Sequence, residues 1–239
     1  MKKAYLITGT DTGIGKSVIT AGIAVYLQSR GINVGVFKPL QSGAKKKNGR
    51  YYSEDAFLAA LALGMPEKTD EFGPFCFPGE KAPYYAMQEN NSLIDLSQLE
   101  EKYCLLKKQY DFLLLEGAGG ICVPYLSEDF LVADLAKKWE LPVIIVARGT
   151  LGTINHVLLT ANFLRQMDLP IAGFVLNWVE NEQREEAVLN AQAIERMGKV
   201  KCLGIVPVIK DLKPEEGKTG NLLAVIKKYC DLTCLEEDF

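Results

Sequence analysis

A glycine-rich stretch with a lysine and a hydroxyl residue lies near the start of the chain, at Thr8-Gly9-Thr10-Asp11-Thr12-Gly13-Ile14-Gly15-Lys16-Ser17. A short apolar run, Ala4 to Ile7, precedes it, and a segment with helical apolar spacing, Val18 to Leu27, follows it. The backbone N–H groups of such a loop and the positive end of the next helix attract a polyphosphate. Lys16 can reach the terminal phosphates, and the hydroxyl of Ser17 can ligate Mg²⁺. We therefore predict a phosphate-binding loop.

The spacing of this stretch departs by one position from the common phosphate-loop pattern. That pattern has a glycine five residues before the glycine that precedes the lysine, and Thr10 occupies this place, with Gly9 one residue earlier. The prediction therefore depends on four residues in their strand-to-helix context, namely Gly13, Gly15, Lys16 and Ser17. A glycine-rich turn that carries an ordinary lysine is the alternative.

Two more polar residues, Lys38 and Ser42, follow a second β-rich run, Asn33 to Phe37. Pro39 prevents a helix from continuing there and frees the strand end. Because ligands in parallel α/β sheets bind beyond the carboxyl ends of the strands, we expect Lys38 and Ser42 beside the phosphate loop. A solvated lysine at a strand end remains the alternative.

Two carboxylates stand where a magnesium ion could use them. Glu116 ends a buried-type apolar run and is followed by glycines, and phosphate-loop enzymes commonly place an acidic residue at such a strand end to hold Mg²⁺ or its water shell. Asp55 falls in the first turn of a helix that Ser53 can cap. Its alternative role is to complement the helix dipole.

The rest of the chain alternates between strand and helix patterns, which predicts one α/β domain over residues 1–239, with a mostly parallel sheet and helices on both faces. After the run that ends at Glu116, we predict a helix at 127–138, a strand at 142–147, a helix from Thr153, a strand at 171–176, a helix at 182–197, a strand at 202–206 and a helix near 220–230.

Three segments before Glu116 carry weaker signals. The charged run at 45–49 predicts a mobile surface loop, and residues 65–92, which contain four prolines, predict a long irregular connection. The order Ser97-Gln98-Leu99-Glu100 predicts a capping box that opens a helix to about Gln109.

The composition is that of an ordinary globular chain. Of 239 residues, 48% are hydrophobic and 24% are charged, and the net charge of -3 gives no reason to expect binding to nucleic acid or to an anionic membrane. No apolar stretch approaches the length of a bilayer span, so we expect a cytoplasmic location. Six scattered cysteines predict reduced thiols without disulfides, and the pair at Cys230 and Cys234 is a poor zinc signal.

Taken together, the motifs resemble the dethiobiotin synthetase family. The phosphate loop alone would indicate only a nucleotide, but the lysine-proline stretch and the Gly-Thr-Ile-Asn-His stretch narrow the resemblance to this one family. It is carried by Gly9-Thr10-Asp11-Thr12-Gly13-Ile14-Gly15-Lys16-Ser17, Lys38-Pro39-Leu40-Gln41-Ser42-Gly43, Glu116-Gly117-Ala118-Gly119-Gly120 and Gly152-Thr153-Ile154-Asn155-His156.

The resemblance implies a ligase that uses ATP, CO₂ and 7,8-diaminononanoate to make dethiobiotin, ADP and phosphate in biotin synthesis. It implies catalytic roles for Lys16 and Lys38, and Mg²⁺ ligands at Ser17, Asp55 and Glu116. Substrate contacts are implied at Ser42, Gly152, Thr153, Ile154 and Asn155. Nucleotide contacts are implied at Thr12, Gly13, Ile14, Gly15, Lys16, Ser17, Val18, Asp55, Glu116, Gly117, Ala118, Gly119, Asn177, Ile205, Val206 and Pro207.

The helix that begins after Gly152 adds an expectation about assembly. Its first N–H groups lack intrahelical partners, which suits an anion such as the substrate carboxylate. The resemblance places that contact on a second subunit, and so implies a homodimer with the diamine spanning the interface. His156, the only histidine, is expected to pack or hydrogen-bond near the helix start rather than to catalyse.

The chain departs from the family pattern in two places. Ser17 replaces the threonine that is common at the metal position, which keeps the hydroxyl. Residues 210–218 match no motif, which leaves the adenine contacts and the preference for ATP open.

Three other readings of the motifs remain. A partition- or septum-positioning-type ATPase would carry a lysine near the start of the loop, where this chain has Asp11. A cobyrinate-type amide synthetase usually adds a glutamine-hydrolysing domain, for which this chain has no room. A nucleotide-binding module without catalysis would leave Lys38 and Ser42 unexplained.

Overall fold

A computed structural model describes residues 3–47 and 49–236, so the outermost residues of the predicted domain lie outside it. The strands are β1 (Lys3–Gly9), β2 (Val34–Phe37), β3 (Leu40–Gln41), β4 (Lys45–Lys47), β5 (Arg50–Tyr52), β6 (Phe75–Cys76), β7 (Phe112–Gly120), β8 (Pro124–Ser127), β9 (Phe130–Leu131), β10 (Val143–Arg148), β11 (Ile171–Val179), β12 (Cys202–Pro207), β13 (Leu212–Lys213) and β14 (Lys218–Thr219). The α-helices are α1 (Lys16–Ser29), α2 (Glu54–Ala62), α3 (Thr69–Phe72), α4 (Pro83–Glu89), α5 (Leu96–Gln109), α6 (Val132–Lys138), α7 (Thr153–Gln166), α8 (Arg184–Gly198), α9 (Leu222–Tyr229) and α10 (Thr233–Glu236). Short 3₁₀ turns cover Pro66–Lys68, Asn181–Gln183 and Pro214–Glu216.

Six strands form the central sheet, in the order β12-β11-β10-β1-β7-β2, and every neighbouring pair is parallel. Apolar runs build its middle strands, because strands covered on both faces have no side that faces water. In β10, for example, the residues from Val143 to Ala147 are all buried. The predicted α/β fold with a mostly parallel sheet is therefore confirmed.

The register of the sheet brings the polar strand ends together. In the pair of β2 and β7, Phe37 lies opposite Leu115, so Lys38 and Glu116 are the next residues along the same register. On the other side of β7, Ile7 of β1 lies opposite Glu116. Since β1 leads into the phosphate loop, three neighbouring strands bring polar groups to one edge of the sheet. The strand end predicted at Glu116 is wrong, because β7 continues to Gly120 and Glu116 lies within the strand.

Two predicted boundaries in the second half of the chain are wrong. The helix expected at 127–138 begins only at Val132, because β8 and β9 form an antiparallel hairpin before it. The strand expected to end at Leu176 continues to Val179, so Asn177 lies within β11 rather than after it. In both places the hydrogen bonds of a neighbouring strand decide where the element ends.

The segments with weak signals are more regular than predicted. Residues 45–47 and 50–52 pair as an antiparallel hairpin instead of forming a loop, and Asn48 between them lies outside the described residues. The connection at 65–92 contains α3, β6 and α4, and β6 pairs in parallel with β3. The segment is therefore held against the strand end that carries Lys38.

Two expectations from composition have structural counterparts. All six cysteines are free thiols, which confirms the absence of disulfides. Within residues 3–47 and 49–236, no helix combines the length and the apolar composition needed to cross a membrane.

The cap of α5 is Asp95, not the predicted Ser97. The carboxylate of Asp95 accepts the N–H of Gln98 at 3.0 Å, and the Gln98 side chain accepts the N–H of Asp95 at 3.0 Å. Ser97 only donates its hydroxyl to Asp95, and this bond is the main reason why the pKa of Asp95 is lowered. The motif is a true capping box, shifted by two residues.

We predict that Asp95→Ala lowers the melting temperature by about 2–4 °C, because the N–H of Gln98 at the helix start loses its acceptor. Ser97→Ala, the matched control, should change it by less than about 1 °C, because an exposed hydroxyl at this place satisfies no helix N–H group. Thermal unfolding followed by circular dichroism measures both. Equal losses in the two variants would contradict the assignment of the cap.

Candidate active site

The phosphate loop links β1 to α1 through backbone conformations that favour glycine. Gly13 and Gly15 have φ angles of 66° and 81°, in the left-handed region. A Cβ on Gly15 would lie 2.3 Å from Nδ2 of Asn177, so a side chain does not fit there. Nδ2 of Asn177 donates to the carbonyl of Ile14 at 3.0 Å and ties the loop to β11. The loop is thus shaped both by its own glycines and by a residue far along the chain.

Lys16 is the first residue of α1 and its side chain folds back over the loop. It is buried, and Nζ donates to the carbonyl oxygen of Asp11 at 3.3 Å. Burial, and next the positive charge of Lys38, lower the pKa of Lys16. A polyanion beside the loop would offset both effects, so the lysine is suited to a phosphate ligand.

Lys38 lies between two carboxylates at the centre of the site. Its Nζ is 2.9 Å from Oδ2 of Asp55 and 3.0 Å from Oε1 of Glu116, and it donates to the carbonyl of Gly117 at 2.8 Å. Lys38 is 3% exposed and Glu116 is 1% exposed. The alternative of a solvated lysine at a strand end is therefore excluded.

Ser17 completes this cluster from the first turn of α1. Its Oγ lies 2.6 Å from Oδ1 of Asp55 and 2.8 Å from Oε1 of Glu116. A hydroxyl has a single proton, so it donates to one carboxylate at a time. Three oxygen ligands from three elements thus meet at one point, and a hard cation such as Mg²⁺ prefers oxygen ligands.

The metal set is small. No group of three or more His, Cys, Asp or Glu side chains that could hold a metal exists within residues 3–47 and 49–236. Mg²⁺ usually binds one or two carboxylates and completes its coordination with waters and phosphate oxygens. Two carboxylates and one hydroxyl from the protein are therefore sufficient for this ion. The donor set therefore suits a metal that arrives with a nucleotide.

The charges of the cluster shift one another's pKa values. Burial favours the neutral form of Asp55, but the charge of Lys38 and the hydrogen bond from Ser17 outweigh it and lower the pKa. Burial raises the pKa of Glu116, and the nearby charge of Asp55 adds to the rise against the opposing effect of Lys38. Burial also disfavours the charged Lys38, but Asp55 and Glu116 outweigh it and raise its pKa. The lysine thus stays charged at neutral pH.

A cleft of about 340 Å³ opens over the loop and the cluster. Most of the predicted nucleotide and metal residues line it, together with Ser42. The lining residues are Thr12, Gly13, Gly15, Lys16, Ser17, Val18, Lys38, Gln41, Ser42, Asp55, Glu116, Ala118, Gly119 and Trp178.

Some predicted nucleotide residues do not line this cleft. Ile14 and Asn177 are buried, and Asn177 uses its amide to hold the loop. Gly117 contributes its carbonyl to Lys38. Ile205, Val206 and Pro207 end β12, which β11 and β10 separate from β1, and the side chain of Val206 is buried. Their contact with a base stays a prediction.

Two residues of the cleft were missed from the sequence, Gln41 and Trp178. Gln41 accepts the hydroxyl of Ser53 at 3.0 Å and so joins β3 to the cap of α2. Trp178 is 41% exposed, has a φ angle of 57°, and lies 5.8 Å from the guanidinium of Arg148. Gln41 stands in the lysine-proline stretch but was given no role there, and Trp178 belongs to no motif. The only signal for Trp178 is its position next to Asn177.

A second cleft, of about 190 Å³, lies at the start of α7, next to the phosphate loop. Gly152 has a φ angle of 93° and precedes the helix, as predicted. Thr153 lines the cleft, is 4% exposed, and its Oγ1 has no hydrogen-bond partner within the part of the chain that is described. Ile154 and Asn155 do not line it. The other lining residues are Thr10, Asp11, Ile14, Arg148, Thr150, Leu151 and His156.

Comparison with known proteins identifies close relatives by sequence. A family model described as an AAA domain matches residues 3–216. The chain is 37% identical to the ATP-dependent dethiobiotin synthetase BioD of Bacillus licheniformis, over 98% of this chain and 95% of that protein. It is 39% identical to the BioD of Bacillus cereus strain B4264, over 98% and 93% of the two chains. The BioD of Bacillus subtilis strain 168 is 34% identical, over 98% and 97%.

Solved structures with the same fold include ATPases of another kind. A ParA family ATPase from Chlorobium tepidum TLS has a TM-score of 0.59 at 15% identity, over 95% of this chain and 98% of that one. The MinD cell division protein of Aquifex aeolicus has a TM-score of 0.58 at 17% identity, over 94% and 93%. At these identities the likeness concerns the fold alone.

The buried charges lead to a prediction about stability. Lys38→Met should lower the free energy of unfolding at pH 7 by about 3 kcal/mol, because it leaves two neighbouring carboxylates without their cation. Glu116→Gln should lower the free energy of unfolding by less than about 1 kcal/mol. Burying the ionised carboxylate of Glu116 is itself unfavourable, and the neutral amide avoids most of this penalty. Denaturant unfolding measures both variants.

The pH dependence of the Lys38→Met loss gives a second check. Without the lysine, we expect the pKa values of Asp55 and Glu116 to be higher in the folded state than in the unfolded state. The folded variant then loses stability as the pH rises and these two carboxyl groups ionise. The difference between wild type and variant should therefore be smaller at pH 4 than at pH 7. A loss that is the same at both values would contradict the account of the cluster.

Proposed function

Since this chain belongs to the family of ATP-dependent dethiobiotin synthetases, we propose that its phosphate-loop cleft carries out the family's reaction with the residues described above. The substrates are ATP, CO₂ and 7,8-diaminononanoate, and the products are dethiobiotin, ADP and phosphate. One observation carries the assignment to this site: Lys38, Asp55, Glu116 and Ser17 meet beside the phosphate loop.

The reaction needs three steps. A carbamate forms between CO₂ and one amine of the substrate, an oxygen of the carbamate attacks the γ-phosphorus of ATP, and the second amine closes the ring and releases phosphate. Negative charge builds up on the carbamate and on the phosphoryl group in flight. Buried cations held in fixed positions stabilise such charge far more than exposed ones do.

Lys16 and Lys38 are the two buried cations of the cleft. Lys16 begins the helix behind the phosphate loop and would hold the terminal phosphates. Lys38 is held by two carboxylates and a backbone carbonyl, so it does not reorient when charge develops. Its place at the end of the strand next to Glu116 makes it the candidate for stabilising the transferring phosphoryl group.

Mg²⁺ would be held by Ser17, Asp55 and Glu116, whose oxygens already converge. When bound, the ion would neutralise charge on the phosphates that it contacts. Asp55 and Glu116 also contact Lys38, so the metal and the lysine would share these two carboxylates. The position of the metal would then depend on the position of the lysine.

We further propose that the nucleotide base lies toward Asn177 and the end of β12, and that Ser42 contacts the carbamate side of the cleft. Ser42 lines the cleft on the side of Gln41. The substrate carboxylate would bind at the start of α7, where a buried hydroxyl, that of Thr153, has no hydrogen-bond partner within residues 3–47 and 49–236. A cytoplasmic location agrees with the free thiols and the biosynthetic reaction.

The assembly that we propose is a homodimer in which the diamine spans the subunit interface. Leu151 and Leu159, at the start and along the side of α7, are 93% and 61% exposed. On α8, which packs against α7, Leu189 and Met197 are also exposed. Apolar side chains in these places are suited to covering by a second copy of the chain.

A binding switch of the ParA or MinD kind is the second candidate. The likeness of the folds favours it. Asp11, at the place of that class's lysine, is exposed and uses its carboxylate to accept the N–H of Thr12 at 2.7 Å. The sequence relatives instead favour the synthetase, so we retain that assignment.

The role of Lys38 predicts a large loss of turnover. Lys38→Ala should lower kcat by roughly two to three orders of magnitude, the scale for losing one preorganised electrostatic donor. Steady-state ADP formation at a temperature where the variant stays folded measures the effect. Lys45→Ala, which removes an exposed lysine paired only with Glu54, is the control and should stay within about twofold of wild type. A folded Lys38→Ala variant with near-wild-type kcat would refute the role.

The shared metal site predicts altered Mg²⁺ dependence. Asp55→Asn and Glu116→Gln should each raise the Mg²⁺ concentration for half-maximal rate by at least about tenfold, because each removes a charged ligand. Glu54→Gln changes the neighbouring carboxylate and should leave that concentration unchanged. If Asp55→Asn lowers only the melting temperature, the residue complements the dipole of α2 and does not bind the metal.

If the diamine site lies at the dimer interface, disrupting the dimer should weaken binding of the diamine and not of ATP. Leu159→Glu should produce a monomer in analytical ultracentrifugation and raise the KM for the diamine by more than about tenfold, while the affinity for ATP changes by less than about twofold. Leu105→Glu, on α5, changes another exposed leucine and should leave the dimer intact. A wild-type chain that sediments as a fully active monomer would rule out the shared site.

A further inference from the structure

Tyr125 is a fully buried tyrosine close to the cluster, and no motif includes it. It lies on β8, which follows the glycines after Glu116, and its exposure is 0%. Its phenol oxygen accepts the backbone N–H of Leu40 at 3.1 Å. Burial raises the pKa of Tyr125, while the charge of Lys38 acts in the opposite direction, which agrees with a position near the lysine.

The backbone that carries Lys38 has few anchors. The N–H of Lys38 donates to the carbonyl of Phe72 at 2.7 Å, and Pro39 has no N–H to donate. The next donor along the chain is the N–H of Leu40, and its partner is the Tyr125 phenol. One N–H donor on each side of the proline therefore anchors the segment from Lys38 to Leu40, and the parallel pairing of β3 with β6 begins at Leu40.

The phenol also ties together the two strand ends that meet in the site. Lys38 follows β2, and Tyr125 lies on β8, the next strand after β7, which carries Glu116. β2 has no strand pairing beyond Phe37, so past that residue the backbone ladder no longer aligns the two chains. The bond from Leu40 to Tyr125 takes over this alignment, at the place where the Nζ of Lys38 must stay within 3.0 Å of Glu116.

We propose that Tyr125 is a positioning residue for phosphoryl transfer: its phenol holds the Lys38-Pro39-Leu40 backbone so that Lys38 keeps its place between Asp55 and Glu116. The inference rests on the proposed function, because it gives Lys38 the role stated there. Tyr125 itself is fully buried and is not among the residues that line the cleft. Its effect on turnover passes entirely through Lys38.

Tyr125→Phe tests the proposal, because it keeps the ring and removes only the acceptor of the Leu40 N–H. We expect kcat to fall roughly tenfold, since small displacements of a catalytic group are costly, while the KM for ATP stays within about twofold. In a Lys38→Ala background the same substitution should change kcat by less than about twofold, because the group that it positions is already gone.

Tyr110→Phe is the matched control. Tyr110 is also a buried tyrosine, and its hydroxyl contacts the side chains of Gln109, at 3.3 Å, and of Glu71, while the N–H groups of Lys38 and Leu40 have other acceptors. This variant should keep wild-type kcat in both backgrounds. All variants are assayed well below their melting temperatures, and circular dichroism checks that each is folded under the assay conditions.

The outcomes separate the inference from the proposed function. Wild-type kcat in Tyr125→Phe overturns the positioning role while the loss in Lys38→Ala still stands. An equal fractional loss in both backgrounds also overturns it, because the tyrosine would then act on the fold and not through the lysine. If Lys38→Ala itself turns over normally, the proposed role of Lys38 fails instead.

Discussion

The site depends on one buried cation held between two carboxylates. Lys38 is almost fully enclosed, and Asp55 and Glu116 approach its Nζ to within 3.0 Å from two different elements. Each of the three would be costly to bury alone, but together they satisfy one another. The same carboxylates contact Ser17 at the start of α1. The cluster therefore holds four elements in one arrangement beside the phosphate loop: β2 at its end, β7 at Glu116, and α1 and α2 at their first turns.

Much of this arrangement could be predicted from the sequence, because its residues follow strong local signals. The phosphate loop stands between an apolar run and a helix and begins where β1 ends, and Glu116 ends an apolar run of strand type, although β7 itself continues to Gly120. The parallel sheet followed from the alternation of strand and helix patterns. That Lys38 and Asp55 contact each other was not derivable from spacing alone, since Asp55 had an equally good local reason to open a helix.

The errors occurred where a contact distant in sequence decides the local structure. Asn177 was expected to follow its strand, but β11 continues and the side chain instead holds the carbonyl of Ile14. The hairpin of β8 and β9 replaces a predicted helical turn, and its residue Tyr125 accepts the N–H of Leu40, two residues after Lys38. Gln41 and Trp178 line the cleft although the sequence assigned no role to either residue. No periodicity within one segment encodes contacts of this kind.

The fold is shared with a ParA family ATPase and with the MinD cell division protein, so the fold alone does not decide the function, and the assignment rests on the site and on the sequence relatives. The most direct test is ADP formation by the purified protein with ATP and Mg²⁺, with and without 7,8-diaminononanoate and bicarbonate. We predict that ADP forms only when both are present, with one dethiobiotin produced for each ADP. ADP formation that is independent of the diamine, or that yields no dethiobiotin, would contradict the assignment.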